Sequence, residues 1–414
     1  MKTIRTWPRW PEADQGTLAK LQEVLDSGRW AISGPFMGQE TMEQRFARAF
    51  ADYNGAPHCV TLDHGTSALI AALEALDIGY GDEVIVPGFT WVAPALAVLS
   101  VNAIPVIADI EPDTFCISPQ SIRQKLSVRT KAIIPVHMYG CMADMDAIMA
   151  IAAERGLAVV EDTAHSHGSV YKGRYAGTIG HIGVFSMQQG KVLTCGEGGA
   201  ALTHDAALKE RIEQSAWNAR TLLDPQATPV GAMQLVTGRS RFATNRCISE
   251  FQAAILLDQL GKLDAQNAKR ERHARWLDEQ LAAIPGVLTM RRRPGVERQT
   301  YYGYVVRIDA ERFGLSAGEA IARLKVLLNM EDFMLHPPYI PLHRNPLYAP
   351  HPRVHELELF YREALQTGDL ELPYCDEAHA TGIVFHHSML LAEQEDLADI
   401  VQAFRSLSAR KSSP

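Results

Sequence analysis

Cys59-Val60-Thr61-Leu62-Asp63-His64-Gly65-Thr66-Ser67-Ala68-Leu69 runs from an apolar β-like segment through a polar turn into the start of a helix. Gly65 permits the tight turn. The hydroxyls of Thr66 and Ser67 stand with free backbone N–H groups at the positive end of a helix dipole, a setting that favours a phosphate. A hydroxyl residue at a helix start is also an ordinary N-cap, so this stretch alone does not assign a function. What it does establish is the first unit of a rhythm. Apolar β-like runs at 59–62, 84–86, 106–108, 132–136 and 158–160 alternate with helical stretches at 66–76, 92–101, 119–126 and 145–155. Such alternation predicts an α/β fold of βαβ units around a mostly parallel sheet, whose strands are apolar throughout because helices cover both faces. Ligands of such sheets bind beyond the carboxyl ends of the strands.

Outward from this core, residues 15–54 read as two helices around a turn at 31–36. The second carries Met42, Phe46 and Phe50 at helical spacing, and the pair forms an arm suited to packing on a partner. Downstream, an apolar run at 182–186 ends in a turn that presents Lys191, and the glycine-rich 196–199 leads into a second β-like run at 200–203. A helix at 206–217 and a segment without clear periodicity at 224–246 precede a long helical stretch at 249–281. The remainder reads as a smaller α/β domain, with strands at 304–307 and 383–385 and helices at 317–328 and 392–407. The expected division is a large domain with its helical arm over 1–264 and a small one over 265–414.

Composition narrows the function classes. A chain of 414 residues, 47% hydrophobic and 21% charged, holds two or three globular domains. Its net charge of −8 and the single basic cluster at 291–293 argue against a nucleic-acid binder, which needs a concentrated basic face. No apolar run is long enough to span a membrane, and the N-terminus lacks the apolar core of a signal peptide, so the expected location is the cytoplasm. Six scattered cysteines without CxxC spacing predict reduced thiols and no metal site.

The strand ends carry the chemistry. Trp91 follows the second run and could offer a flat face to an aromatic ring. Asp162 follows the fifth, where a buried carboxylate requires a cation or a hydrogen-bond donor. Lys191 could act as a nucleophile, since burial beside other positive charge favours the reactive free amine. Each feature has a plain structural alternative. Together they describe a pyridoxal 5'-phosphate site: Gly65, Thr66 and Ser67 at the phosphate, Trp91 on the pyridine, Asp162 at the protonated ring nitrogen, and Lys191 as the Schiff-base lysine.

With those residues, the sequence resembles the DegT/DnrJ/EryC1/StrS family of fold-type-I aminotransferases, which act on keto-sugars and related cyclic ketones. The resemblance covers nearly the whole chain and is carried by 65–69, 81–87, 161–165, 185–186 before Lys191, and 196–199. It implies that Ser186 joins the phosphate site and that His165 lies near the cofactor's phenolic oxygen. It also implies that Asn245 reaches the phosphate of a neighbouring subunit, hence a homodimer with shared active sites. Within the family, the stretches 30–34, 188–194, 298–304, 335–339 and 386–391 look most like the antibiotic-pathway enzymes that aminate 2-deoxy-scyllo-inosose with L-glutamine. The expected reaction is therefore transfer of an amino group from L-glutamine or L-glutamate to a cyclic ketone.

Tyr302, His336, Tyr339 and His343 are candidates for recognising substrate hydroxyls. Two departures from the family pattern fall where the ketone would be chosen: His64 before the Gly-Thr turn, and the segment 220–244. A nucleotide-sugar aminotransferase is an alternative that needs cations for a diphosphate, with Arg220 and Arg239 as candidates. A sugar dehydratase would carry His in place of Lys191. A non-catalytic regulator retaining the fold would lack cofactor absorbance.

Overall fold

The computed structural model describes residues 7–223, 227–238, 243–348 and 369–408. The apolar runs become one seven-stranded sheet: β1 His58–Leu62, β2 Glu83–Pro87, β3 Ile104–Ala108, β4 Thr130–Ile133, β5 Ala158–Asp162, β6 Ile182–Ser186 and β7 Gly199–Thr203. Their spatial order is β1-β7-β6-β5-β4-β2-β3. The neighbours from β3 to β6 pair in parallel, whereas β7 runs antiparallel to both β6 and β1. Every residue of β2 and β7 is buried, which is why these strands show no polar alternation. Gly183 in β6 is obligatory, because a Cβ there would lie 2.0 Å from the Gly177 carbonyl oxygen of the loop crossing the strand.

Helices α3 Gly65–Ala75, α4 Ala93–Ser100, α5 Pro119–Lys125 and α6 Met145–Arg155 make the crossovers, and α7 Ala206–Ala216 follows β7. The arm is α1 Gln15–Ser27 and α2 Met42–Asn54. Capping boxes start both, Asp14 with Thr17 and Thr41 with Gln44, and a left-handed glycine ends each. Within the segment without periodicity, Leu235–Thr237 pairs antiparallel with Arg220–Leu222, which precedes it.

The long helix α8, Glu250–Ala282, has 33 residues and so spans about 50 Å. Its first half gives Ala253, Ala254, Leu256 and Leu263 to a core with Phe46, Phe50 and Phe185. Its second half gives Ala274, Leu277 and Leu281 to a separate core with Leu324, Leu397 and Phe404. That second core lies around an antiparallel sheet of β8 Val287–Thr289, β9 Gly303–Ile308, β10 Leu335–His336 and β11 Gly382–His386, ordered β8-β9-β11-β10. Helices α9 Ala317–Leu328 and α11 Gln394–Ser408 pack on it, and α10 Pro373–Thr381 leads into β11. The strands β8 and β10 are too short to carry a periodic signal. Among the described residues, no helix is long and apolar enough to cross a membrane.

Candidate active site

A cavity of about 450 Å³ opens at the carboxyl ends of β5 and β6, with the first turn of α3 as one wall. It brings together Gly65, Thr66, Trp91, Asp162, His165, Ser186, Lys191, Tyr302 and Tyr339 of the residues singled out in the sequence.

Lys191 leaves β6 on a turn closed by two short bonds. Its backbone N–H donates to the Gln188 carbonyl at 2.8 Å, and that of Gly190 to Gln188 Oε1 at 2.8 Å. The residue is only 8% exposed. Among the described residues, its Nζ meets no carboxylate at ion-pair distance and rests 4.1 Å from the centroid of the Tyr302 ring. Tyr302 in turn stacks on His165, with centroids 3.9 Å apart and planes 8° from parallel. His165 Nδ1 accepts the Tyr139 N–H at 3.3 Å, so a neutral ring carries its proton on Nε2. Burial, reinforced by the nearby Lys191 charge, holds its pKa well below the usual histidine range.

Asp162 ends β5 with its carboxylate in the cavity wall. Its Oδ1 accepts from the Ala164 N–H at 3.0 Å, its one side-chain hydrogen bond among the described residues. Burial pushes its pKa up, against the pull of that amide and of the Lys191 charge. A buried carboxylate left with spare acceptor capacity suits a cationic N–H donor.

At the start of α3 the preceding residue, His64, makes no side-chain cap bond, so the first N–H groups of the helix stay open to an anion. A Cβ on Gly65 would lie 2.6 Å from Ser186 Cβ, so glycine alone allows the helix to start against the end of β6. His64 turns its Nδ1 to Glu197 Oε2 at 3.1 Å instead, and both half-exposed side chains line the cavity mouth. Trp91 is 47% exposed at the same mouth, with its ring 5.9 Å from that of Tyr339. Tyr339 and Tyr302 share a hydroxyl contact of 3.2 Å. Open helix N–H groups, a buried carboxylate with one partner and a buried lysine amine around one cavity fit pyridoxal phosphate, which presents a phosphate, a protonated ring nitrogen and an aldehyde.

Other expected residues lie elsewhere. Ser67 does not line the cavity. Asn245 is exposed outside it, with its Oδ1 on the Cys247 N–H at 3.2 Å. His336 turns its Nδ1 to the Pro337 carbonyl at 2.8 Å. His343 is buried with Nε2 3.3 Å from Asp376 Oδ1, and it does not line the cavity. Arg220 is tied to the Trp217 carbonyl at 2.9 Å, and Arg239 lies outside the described residues. Sequence reasoning missed Thr90, Gln188 and Glu197 in the lining. It also missed Tyr139, whose ring lies parallel to those of His165, Tyr302 and Tyr339, and whose hydroxyl accepts the Tyr339 N–H at 3.3 Å. Tyr139 holds a left-handed backbone with φ of 52°, which nothing in its local sequence announces.

Residues 11–383 match the DegT/DnrJ/EryC1/StrS aminotransferase family. The L-glutamine:2-deoxy-scyllo-inosose aminotransferase of Streptomyces kanamyceticus is 44% identical over 402 residues, 97% of this chain and 93% of that one. The L-glutamine:scyllo-inosose aminotransferase of Streptomyces griseus is 42% identical over 404 residues, 97% of this chain and 94% of that one. Among solved structures, 3-amino-5-hydroxybenzoic acid (AHBA) synthase aligns with a TM-score of 0.82 at 29% identity, covering 99% of this chain and 100% of that one.

Proposed function

The chain belongs to the DegT/DnrJ/EryC1/StrS aminotransferase family and is a pyridoxal-phosphate-dependent aminotransferase, and from that premise we propose that it moves an amino group from L-glutamine, or L-glutamate, to a cyclic ketone of the scyllo-inosose type in aminocyclitol antibiotic biosynthesis. The observation that carries the reading is the convergence of buried Asp162, buried Lys191 and the uncapped N-terminus of α3 on one cavity with a polar mouth.

When bound, pyridoxal phosphate supplies an aldehyde that exchanges amino groups and a ring that takes up the electron pair left when an α-proton departs. Asp162 would keep the ring nitrogen protonated. The N–H groups of α3 would hold the phosphate with Thr66 and Ser186, and Trp91 would cover the ring face. His165, with its proton on Nε2, would donate to the phenolic oxygen. Lys191 Nζ would hold the cofactor's aldehyde end, and its amine would take a proton from the donor's α-carbon and give it back, serving as base and then acid. In the second half-reaction the same amine moves the proton in the opposite sense. The half-exposed His64 and Glu197, with Tyr302 and Tyr339, supply donors and acceptors for a ring rich in hydroxyls.

The reading includes a cytoplasmic homodimer. Asn245, exposed and outside the lining of its own cavity, would complete the phosphate site of a second copy. It also divides the chain at 264/265, inside the helix whose two halves serve different cores.

A half-reaction screen tests the proposal. L-glutamine should bleach the cofactor's visible band, and scyllo-inosose or 2-deoxy-scyllo-inosose should restore it, while Lys191→Ala should do neither at a measurable rate. Recovery with nucleotide-linked keto-sugars but not with cyclitol ketones would overturn the substrate class, and bleaching by glutamate alone would overturn glutamine as donor.

A further inference from the structure

Lys191 must be held to within a fraction of an ångström for its amine to serve both as anchor and as proton carrier, because a misplacement of about 1 Å costs on the order of a hundredfold in rate. The turn 188–191 secures only one side of it. The remaining restraint comes from far away in the chain. The indole Nε1–H of Trp10 donates to the Lys191 carbonyl at 3.1 Å, and His387 Nε2–H donates to the Gly190 carbonyl at 3.1 Å. These carbonyls belong to the two peptides that flank the Lys191 Cα. Neither side chain lines the cavity.

We infer that Trp10 and His387 are positioning residues for Lys191, clamping the peptides on either side of it from behind the cavity. This inference rests on the reading of Lys191 as the cofactor-binding lysine. Three features make the clamp stiff. The two rings pack edge to face, with centroids 4.7 Å apart and planes at 83°. The guanidinium of Arg270, fully buried and bonded to Asn267 Oδ1 at 3.1 Å, lies 5.1 Å from the Trp10 ring centroid as a cation–π partner. The strand of chain that carries Trp10 is fastened on both sides, by Trp7 Nε1–H to the Leu328 carbonyl at 2.9 Å and by Gln259 Nε2–H to the Glu12 carbonyl at 2.8 Å.

The first anchor is the end of α9, in the small-domain core, so the clamp connects that core to the lysine turn. His387 is buried and neutral, its pKa held well below the usual range by burial and by the Arg270 charge. It therefore has one N–H to give, and Gly190 receives it.

The test uses the full-length apoprotein and pyridoxal phosphate, with no amino-acid substrate. Attachment of the cofactor to Lys191 is followed by absorbance, trapped with borohydride and located by peptide mass. Trp10→Phe keeps the ring packing and loses the N–H; His387→Phe keeps a ring and loses the N–H; His387→Gln restores a donor. Each Phe variant should slow attachment about tenfold, a fraction of the full cost of misplacement, with thermal melting of the apoprotein within a few degrees of wild type. His387→Gln should recover most of the rate. Wild-type attachment rates in both Phe variants would overturn the inference, as would a His387→Gln rate no better than that of His387→Phe. No labelled peptide at Lys191 in the wild-type protein would instead overturn the lysine assignment itself.

Discussion

Glu161 and Asp162 leave the end of β5 on opposite faces of the sheet. Glu161 is fully buried and accepts from His137 Nε2 at 3.0 Å and from the amides of Gly177, Ile179 and Gly180 at 3.0, 2.6 and 2.5 Å. Burial alone would raise its pKa, but His137 and these amides outweigh it and hold the group below the usual carboxylate range. Asp162 is almost as buried and has the single amide of Ala164, and its pKa is raised. Two adjacent acids, similar in burial, thus differ in what they have left to offer. The first has spent its lone pairs on the protein and fixes the loop 177–180 against the sheet; the second keeps acceptor capacity for something that arrives. Strand alternation explains how one residue step separates a structural carboxylate from a functional one.

Substitutions at the two positions should therefore have opposite profiles. Asp162→Asn should lower kcat by about 100- to 1000-fold, the scale of losing one preorganised electrostatic partner. The apoprotein should melt no lower than wild type near neutral pH, because burial already disfavours the ionised aspartate. Stopped-flow half-reactions and calorimetry check both halves. Glu161→Gln should do the reverse. Leaving His137 and three amides facing a neutral group should cost about 3 kcal/mol of stability, read by chemical denaturation, while kcat per folded molecule stays within a few-fold of wild type. Loss of catalysis at unchanged stability in Glu161→Gln would reverse the roles of the two acids.

The pH dependence gives a smaller and finer test. The depressed pKa of Glu161 contributes stability that is present above the unfolded carboxylate pKa and lost as pH falls through the folded value; Glu161→Gln should remove this part of the acid limb. Buried imidazoles act in a higher window. His167, with a pKa lowered to about 3, and His386, lowered to about 4, both by burial first, refuse protons that the unfolded chain accepts. Stability should therefore fall as pH drops from about 6.5 toward 4, by up to about 1.4 kcal/mol per pH unit for each group. His386→Phe should flatten that slope relative to wild type in denaturation curves taken across the window.

Much of this molecule is local and was therefore legible. Helix α9 is read from end to end because Ser316 caps it and Asn329 ends it in a left-handed conformation. The apolar runs of the large sheet, the Gly65 turn, Asp162 at the end of β5 and Lys191 after β6 are all signals contained within a few residues. Their convergence on one cavity follows from parallel strands ending on the same side. The short strands β8 and β10 carried too few residues for any period to register. Residue type alone makes His336 and His343 candidates; the first bonds the Pro337 carbonyl, the second faces Asp376, and neither lines the cavity.

What the sequence determined by itself is thus the α/β rhythm, the strand ends and the residues of cofactor chemistry standing on them, since apolar periodicity and turn stereochemistry act over one or two turns of chain. The tertiary structure alone decided that Glu161 is bonded to His137 and the 177–180 loop, and that β7 enters the sheet antiparallel. It also set Tyr302 and Tyr339 in the cavity wall, and it brought Trp10 to Lys191 and His387 to Gly190 across 181 and 197 residues of sequence. Contacts of that kind depend on how whole layers pack, and no local pattern encodes them.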